Sequence, residues 1–241
     1  MWHIASVSFG KDSLAMLLRL LEESAPLDEV VFYDTGMEFQ AIYDTRDAVL
    51  PMLNRAGIKY TELHPDNPFL YDMLHRPVKG RATTGYGWCG GLCRWGTTKK
   101  TQTIENHIKQ YTGGVIEYVG IAFDETNRIK SKEYPLIKWG MTEASCLQYC
   151  YDRGFQWQED GGAGLVRLYD VLDRVSCWCC CNKNLKELKN IYLYLPDYWQ
   201  KLKYLQFCQS RPMKGFYKGE PRGIYELEKR FAAEITKEAE I

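Results

Sequence analysis

The chain opens with an apolar run, His3 to Val7, that gives way to Ser8, Phe9, Gly10, Lys11, Asp12 and Ser13. Leu14, Met16, Leu17, Leu18 and Leu20 follow at a spacing that suits a buried helix. The pattern predicts a strand over 2–8 and a helix over 12–24, with Asp12 and Ser13 as candidate caps. The stretch 29–35 is a second strand, apolar until it meets Asp34 and Thr35. A helix over 38–56 and a third strand over 59–63 complete the alternation. Strand, helix, strand, helix, strand argues for parallel pairing through right-handed crossovers. Continuously apolar strands are what burial on both faces of a parallel sheet requires.

The pattern then changes. Residues 75–96 hold six glycines among aromatic and basic residues and read as loop. A helix over 97–110 and a strand over 114–123 follow, then a helix over 142–153 and a turn over 158–164. From residue 165 onward the pattern reads as helical, interrupted by a cysteine stretch, and ends in an acidic amphipathic helix over 224–240. The expected architecture is α/β, a doubly wound and mostly parallel sheet over residues 1–140, with a helical, cysteine-containing C-terminal region over 141–241.

Composition narrows the classes. With 241 residues, 45% of them hydrophobic and 26% charged, the chain can bury a sizeable core. Lys plus Arg and Asp plus Glu both number 31, so the whole molecule makes no electrostatic case for nucleic acid. Residues 183–223 are the exception, with nine Lys or Arg, three acids and interleaved aromatics. That segment reads either as a nucleic-acid surface or, the reading preferred here, as a helical appendage with a basic outer face. No run approaches the roughly 18 apolar residues of a membrane span, and no signal-type segment opens the chain, so a cytoplasmic protein is expected. In that compartment nine cysteines point to metal or cluster chemistry before disulfides.

A glycine, a lysine and two hydroxyls where a strand becomes a helix suit a phosphate. Helix N-termini expose backbone N–H groups and a partial positive charge. Gly10 permits close backbone approach, Lys11 adds charge, and Ser8 and Ser13 add hydroxyls. A Walker A loop is excluded by spacing, as is the three-glycine dinucleotide fingerprint. His3, His64, His75 and His107 show no ligand spacing.

Taken in order, several motifs resemble the phosphoadenosine phosphosulfate (PAPS) reductase family of the PP-loop, or adenine nucleotide alpha hydrolase-like, superfamily. They are Ser8–Ser13, 32–36 (FYDTG), 93–100 (CRWGTTKK), 119–130 (VGIAFDETNRIK), 134–143 (YPLIKWGMTE) and 176–184 (SCWCCCNKN). The resemblance implies an adenine nucleotide as ligand: ATP, PAPS or adenosine phosphosulfate (APS). It implies phosphate contacts from Ser8, Gly10, Lys11, Asp12 and Ser13, and nucleotide contacts from Asp34, Thr35, Gly36 and Glu125. Lys11, Asp12 and Arg128 are the expected catalytic residues, and Arg94, Lys99, Lys100 and Lys130 are further basic candidates. Three positions depart from the family pattern. Phe9 replaces the first loop glycine, Ala122 stands where an Arg often meets substrate, and Gly96 stands where relatives often have a Cys. The tail also lacks the Glu-Cys-Gly setting of the assimilatory reductases, and the last cysteine is Cys208.

Cys89 and Cys93 form one thiol pair, Cys177 and Cys180 another, with Cys179 and Cys181 competing for the late positions. Two such pairs can be bridged by a tetrahedral metal or a cubane cluster. The resemblance favours a [4Fe-4S] cluster over zinc, while Cys146 and Cys150, one helical turn apart, are a weaker alternative to the early pair. The expected function is an adenine-nucleotide-dependent oxidoreductase of PAPS reductase type. The alternative is an ATP pyrophosphatase that adenylates a substrate, with nucleic acid as one candidate, and transfers sulfur; a third is a zinc-structured nucleic-acid-binding module. Expected partners are a reductant or sulfur-donor protein and, for assembly, a second copy of the chain.

Overall fold

A computed structural model describes the chain apart from Arg81, Leu92, Thr126, Arg128, Lys130, Glu240 and Ile241. The elements in chain order begin with β1 (Trp2–Ser6), α1 (Lys11–Glu22), β2 (Glu29–Tyr33), α2 (Gln40–Arg55), β3 (Lys59–Leu63) and α3 (Phe69–Leu74). A π-helical turn, Arg94–Lys99, leads into α4 (Lys100–Ile108), followed by β4 (Val115–Val119), α5 (Pro135–Lys138) and α6 (Glu143–Tyr151). The rest comprises β5 (Gln158–Asp160), β6 (Leu165–Arg167), α7 (Leu168–Val171), α8 (Leu185–Tyr194), α9 (Pro196–Phe207), β7 (Phe216–Tyr217), β8 (Glu220–Pro221) and α10 (Ile224–Ala239). Among the described residues no helix is long and apolar enough to cross a membrane.

The chain divides into two compact units, each built from two stretches. The first is Met1–Pro65 with Thr98–Trp157, and the second is Asp66–Thr97 with Gln158–Ile241. The boundary expected near residue 140 therefore falls inside the first unit, just ahead of α6.

The first unit holds a four-stranded, wholly parallel sheet in the order β3-β2-β1-β4, with helices on both sides. The chain steps outward from β1 to β2 to β3, then returns to the other side of β1. Right-handed crossovers therefore put α1 and α2 on one face and α4 on the opposite face. Alternation along the strands matches. Ile4, Val31 and Tyr33 pack with Ile104 of α4, whereas Phe32 meets Phe9 on the other face with ring centroids 5.2 Å apart.

A carboxylate fixes α4. Glu29, 1% exposed at the start of β2, lies on the α4 face. It accepts hydrogen bonds from Thr61 and Tyr111, His107 Nε2 lies 3.0 Å away, and Lys59 makes an ion pair at 3.0 Å. Burial alone would raise the Glu29 pKa, but these partners outweigh it and hold the carboxyl below its usual range.

The second unit corrects the helical reading of residues 165 onward. Leu165–Arg167 pairs antiparallel with Gln158–Asp160, and helix resumes only at Leu168. Gly161 makes this hairpin compact, because a Cβ there would lie 2.5 Å from Val166 Cγ2 and 2.9 Å from the Gly164 carbonyl oxygen. A three-residue strand offers too few positions to separate a period of two from one of 3.6. α8 starts on a reciprocal cap, in which the Asn184 side chain accepts from Glu187 N–H and the Glu187 carboxylate accepts from Asn184 N–H. A further hairpin, β7–β8, also interrupts the expected helices.

Because its folded pKa is depressed, Glu29 contributes stability that is complete above the unfolded carboxyl value. That stability is lost as pH falls through the lower folded value. Glu29→Gln should cost about 3 kcal/mol at neutral pH and flatten the acid limb of the stability curve. Urea unfolding at a series of pH values reads both effects.

Candidate functional site

The sheet order reverses at β1, so the crevice outside the carboxyl ends of β1 and β4 is the topological switch point, where open α/β sheets bind ligands. The candidate loop, Ser8 to Ser13, lies there. Gly10 is the N-cap of α1, with extended backbone at φ −78° and ψ 167°. This corrects the expectation that Asp12 or Ser13 caps the helix. Ser13 Oγ instead turns back, accepting from Ser8 N–H at 3.1 Å and donating to the Gly10 carbonyl at 3.2 Å, with Ser8 Oγ also 3.1 Å away. The loop is a closed hydroxyl-braced turn.

Phe9, where the family has glycine, adopts φ +57°, the left-handed region that glycine favours. Full burial, the contact with Phe32 and a 2.8 Å hydrogen bond from Trp157 Nε1 to the Phe9 carbonyl hold it there. From the other side of the crevice, Gly120 follows β4 and abuts the first turn of α1. A Cβ on Gly120 would lie 2.6 Å from Ser13 Cα and 2.8 Å from Ser13 N, so only glycine fits.

Lys11 is buried and does not reach into solvent. Its Nζ donates to both Asp12 oxygens, at 2.9 and 3.0 Å, and to Glu143 Oε2 at 2.7 Å. Burial opposes the charge, but the two carboxylates outweigh it and raise the Lys11 pKa. The Asp12 carboxyl is pushed up, by burial first, against the pull of Lys11 and with the charges of Glu143 and Glu125 adding to the rise. Glu143 went unrecognised in the sequence as a site residue. α6 delivers it: Thr142 Oγ1 caps the helix by accepting from Ser145 N–H, and Asp124 accepts from Glu143 N–H. Thr142 and Ser145 ahead of an apolar stretch were the available signal. Glu125, half-buried, lies close enough for its charge to act on Asp12. Arg128 and Lys130 lie outside the described residues.

At the end of β2, Asp34 Oδ1 accepts from Gly36 N–H and from the Tyr43 hydroxyl, both at 2.7 Å, and Gly36 takes φ +72°. Thr35 Oγ1 donates to Glu38 and accepts from Met37 N–H. Asp34, Thr35 and Gly36 thus form a braced turn at the carboxyl edge of the sheet. His64 and Glu62, at the end of the neighbouring β3, meet Asp34 there; their ligand atoms lie within 4.8 Å of one another.

The second unit gathers thiols. The Gly91 N–H donates to Asn182 Oδ1 and Asn182 Nδ2 donates to the Gly91 carbonyl, each at 2.8 Å, which ties the Cys89–Cys93 loop to the late cysteine turn. Within that turn Cys180 N–H donates to the Cys177 carbonyl at 3.0 Å, and Lys214 Nζ clamps the Cys181 and Lys183 carbonyls at 2.7 and 2.8 Å. Cys93 Sγ accepts from Gly96 N–H at 3.3 Å. The Cys181 thiol is pushed up to about 11, by burial and then by Cys180, Cys93 and Cys89 beside it. Burial lowers the pKa of Lys183 against the opposing charges of Glu187, Cys180, Cys177 and Cys179. Cys181 of the late turn therefore lies within electrostatic reach of Cys180 and of both early thiols. Cys146 and Cys150 lie elsewhere, buried in α6 of the first unit. Burial raises both thiols, Cys146 to about 12.

An uncharacterized protein of Methanocaldococcus jannaschii, MJ0066, is 26% identical over 220 residues, covering 82% of this chain and 40% of that protein. A second from the same organism, MJ0973, is 25% identical over 243 residues, covering 93% and 54%. The chain spans about half the length of the curated relatives it matches. The solved U34-tRNA thiolase NcsA from Methanococcus maripaludis with its [4Fe-4S] cluster is similar with a TM-score of 0.42 and 14% identity, over 98% of this chain and 72% of that one. The pattern of the phosphoadenosine phosphosulfate reductase domain matches residues 3–134, more than half of the sequence, and the chain belongs to that family.

Proposed function

We propose that the protein is an adenine-nucleotide-dependent enzyme of sulfur metabolism, similar to PAPS and APS reductases, with an iron–sulfur cluster on the thiols of its second unit. The observation that carries the nucleotide half is the convergence of the β1–α1 loop and Gly120 at the switch point of the sheet. Ser8, Gly10, Lys11, Asp12 and Ser13 would hold phosphates. Asp34, Thr35, Gly36 and Glu125 would meet the remainder of the nucleotide. Among the described residues, Asp12 and Glu143 pair with the Lys11 ammonium and the charge of Glu125 acts on Asp12. Such a site suits a polyphosphate that arrives with magnesium, since the ion offsets the surplus negative charge.

In the reductase reading a sulfur–oxygen bond of the nucleotide is cleaved. Two electrons enter from an outside reductant, and the sulfonyl group leaves as sulfite while the phosphate keeps the bridging oxygen. Lys11, with Arg128, would stabilise the charge developing on that phosphate. A specific observation favours a second reading. Ala122, fully buried, stands where the family often has an Arg that meets substrate, so a sulfonucleotide loses a cationic contact. Under that reading the enzyme adenylates a substrate with ATP, releases pyrophosphate, and a sulfur donor displaces AMP.

Thiolates are the donors an iron–sulfur cluster takes, and Cys89, Cys93 and Cys180, with Cys177 or Cys181, would hold it. Bound there, a cubane would supply electron storage or a site for sulfur.

Calorimetry with ATP, AMP, APS and PAPS tests the nucleotide site, and sulfite against pyrophosphate separates the two reactions. Gly10→Val should abolish binding by blocking backbone approach. Lys11→Ala should weaken it by about 1.5–3 kcal/mol, with the fold intact by circular dichroism. Unchanged affinity in both variants rejects the loop as the phosphate site.

Anaerobically purified protein should be brown, with about four irons per chain. Cys93→Ser and Cys180→Ser should lose the colour and the iron, and Cys208→Ser should keep both. Colourless anaerobic protein with stoichiometric zinc rejects the cluster.

A further inference from the structure

We infer that the second unit carries a binding surface for single-stranded RNA, formed by the outer face of α9 and the β7–β8 hairpin. α9 buries Tyr198, Trp199, Leu202, Leu205 and Gln206. The opposite face presents Lys201, Tyr204 and Phe207 at three-residue spacing, with Tyr204 64% and Phe207 79% exposed. A helix face turned to water has no packing reason to carry two aromatic rings.

The hairpin is fixed to that end of α9 by one buried side chain. Gln206 Nε2 donates to the Gln209 and Arg211 carbonyls, and Gln206 Oε1 accepts from Met213 N–H at 3.0 Å and Ile224 N–H at 3.4 Å. The segments on both sides of the hairpin are thus tied to the last turn of α9. The hairpin displays Phe216 and Tyr217, 64% and 59% exposed. Its two-residue turn is Lys218-Gly219, at φ +51° and +84°.

A lysine in the left-handed region is strained, where Asn or Gly would be relaxed. Here the strained residue sets its ammonium 5.6 Å from the Tyr217 ring, and the Arg222 guanidinium lies 5.3 Å from the same ring. Cations beside exposed rings, with Lys201, Arg211 and Lys218 all exposed on this segment, are what an anionic backbone with unpaired bases requires. Duplexes hide their base faces, whereas unpaired RNA loops splay them for stacking on Phe and Tyr. An acidic peptide would use the cations but leave the rings without planar partners.

This inference is independent of the nucleotide site, and the test keeps the two apart. Fluorescence anisotropy would use the full chain with a labelled oligoribonucleotide of about 12 nucleotides, its deoxyribose counterpart, a hairpin-free duplex RNA and polyglutamate as competitor. We expect salt-sensitive binding of the single-stranded RNA. Phe207→Ala and Phe216→Ala should each weaken it about tenfold, as loss of one stacked base would. Lys218→Gly is the discriminating variant. It relieves backbone strain, so the melting temperature should hold or rise, while affinity falls and the salt slope drops by about one. ATP affinity should be unchanged in all three. No binding, equal binding by the three variants, tighter binding of the deoxyribose strand or the duplex, or equal displacement by polyglutamate would each overturn the inference.

Discussion

The absence of one Cβ governs the geometry of the first unit. Gly120 brings the end of β4 within 2.6–3.0 Å, measured from where its Cβ would stand, of the α1 backbone at Asp12 and Ser13. No other residue permits that approach. Because β1 and β4 are hydrogen-bonded from Trp2–Val115 to Ser6–Val119, the two chain ends emerge side by side and the α1 N-terminus is pressed into the gap. α6 then packs on α1 and brings Glu143 to Lys11.

Charge at that point is arranged against free diffusion of Lys11. An exposed lysine gains little from a surface carboxylate, but Lys11 is buried and touches two. Holding the ammonium costs desolvation, and the carboxylates offset it. The group is therefore pre-oriented, and an incoming phosphate would compete with Asp12 and Glu143 for the same three donors. The pre-orientation makes Glu143 as much a part of the loop as the residues of its own motif, although it lies 132 positions away.

Strands and helices with long periodic patterns were legible in the sequence: β1 to β4 and α1, α2, α6 and α10 fall within a few residues of expectation. Spacing marked the cysteine pairs, and hydrogen bonds between Gly91 and Asn182 tie the early loop to the late turn. What was not legible came from the third dimension. His64 has no ligand spacing, yet parallel pairing of β2 and β3 sets it beside Asp34. His107 reads as a helix residue, but the fold turns it onto Glu29. Leu165–Arg167 was too short to betray a strand. The interleaving of the two units, in which residues 66–97 leave the sheet and residues 98–157 return to it, has no compositional mark at all.

Phe9 shows how a fold holds a non-glycine residue in a conformation that glycine favours. Left-handed backbone costs a non-glycine residue roughly 1–2 kcal/mol, and burying a phenylalanine side chain returns about 1.5–3 kcal/mol. The exchange is close to balanced, so the substitution is tolerable only where a pocket exists. Phe32 and Trp157 provide that pocket, the latter by hydrogen bonding to the Phe9 carbonyl. The consequence is a stiffer turn: glycine visits both signs of φ freely, whereas Phe9 can leave +57° only by withdrawing its ring from the core. A phosphate site built from backbone N–H groups benefits, because the donors are held in place before the anion arrives. The departure from the family pattern at this position is therefore compatible with anion binding, and the burial that permits it also rigidifies the loop.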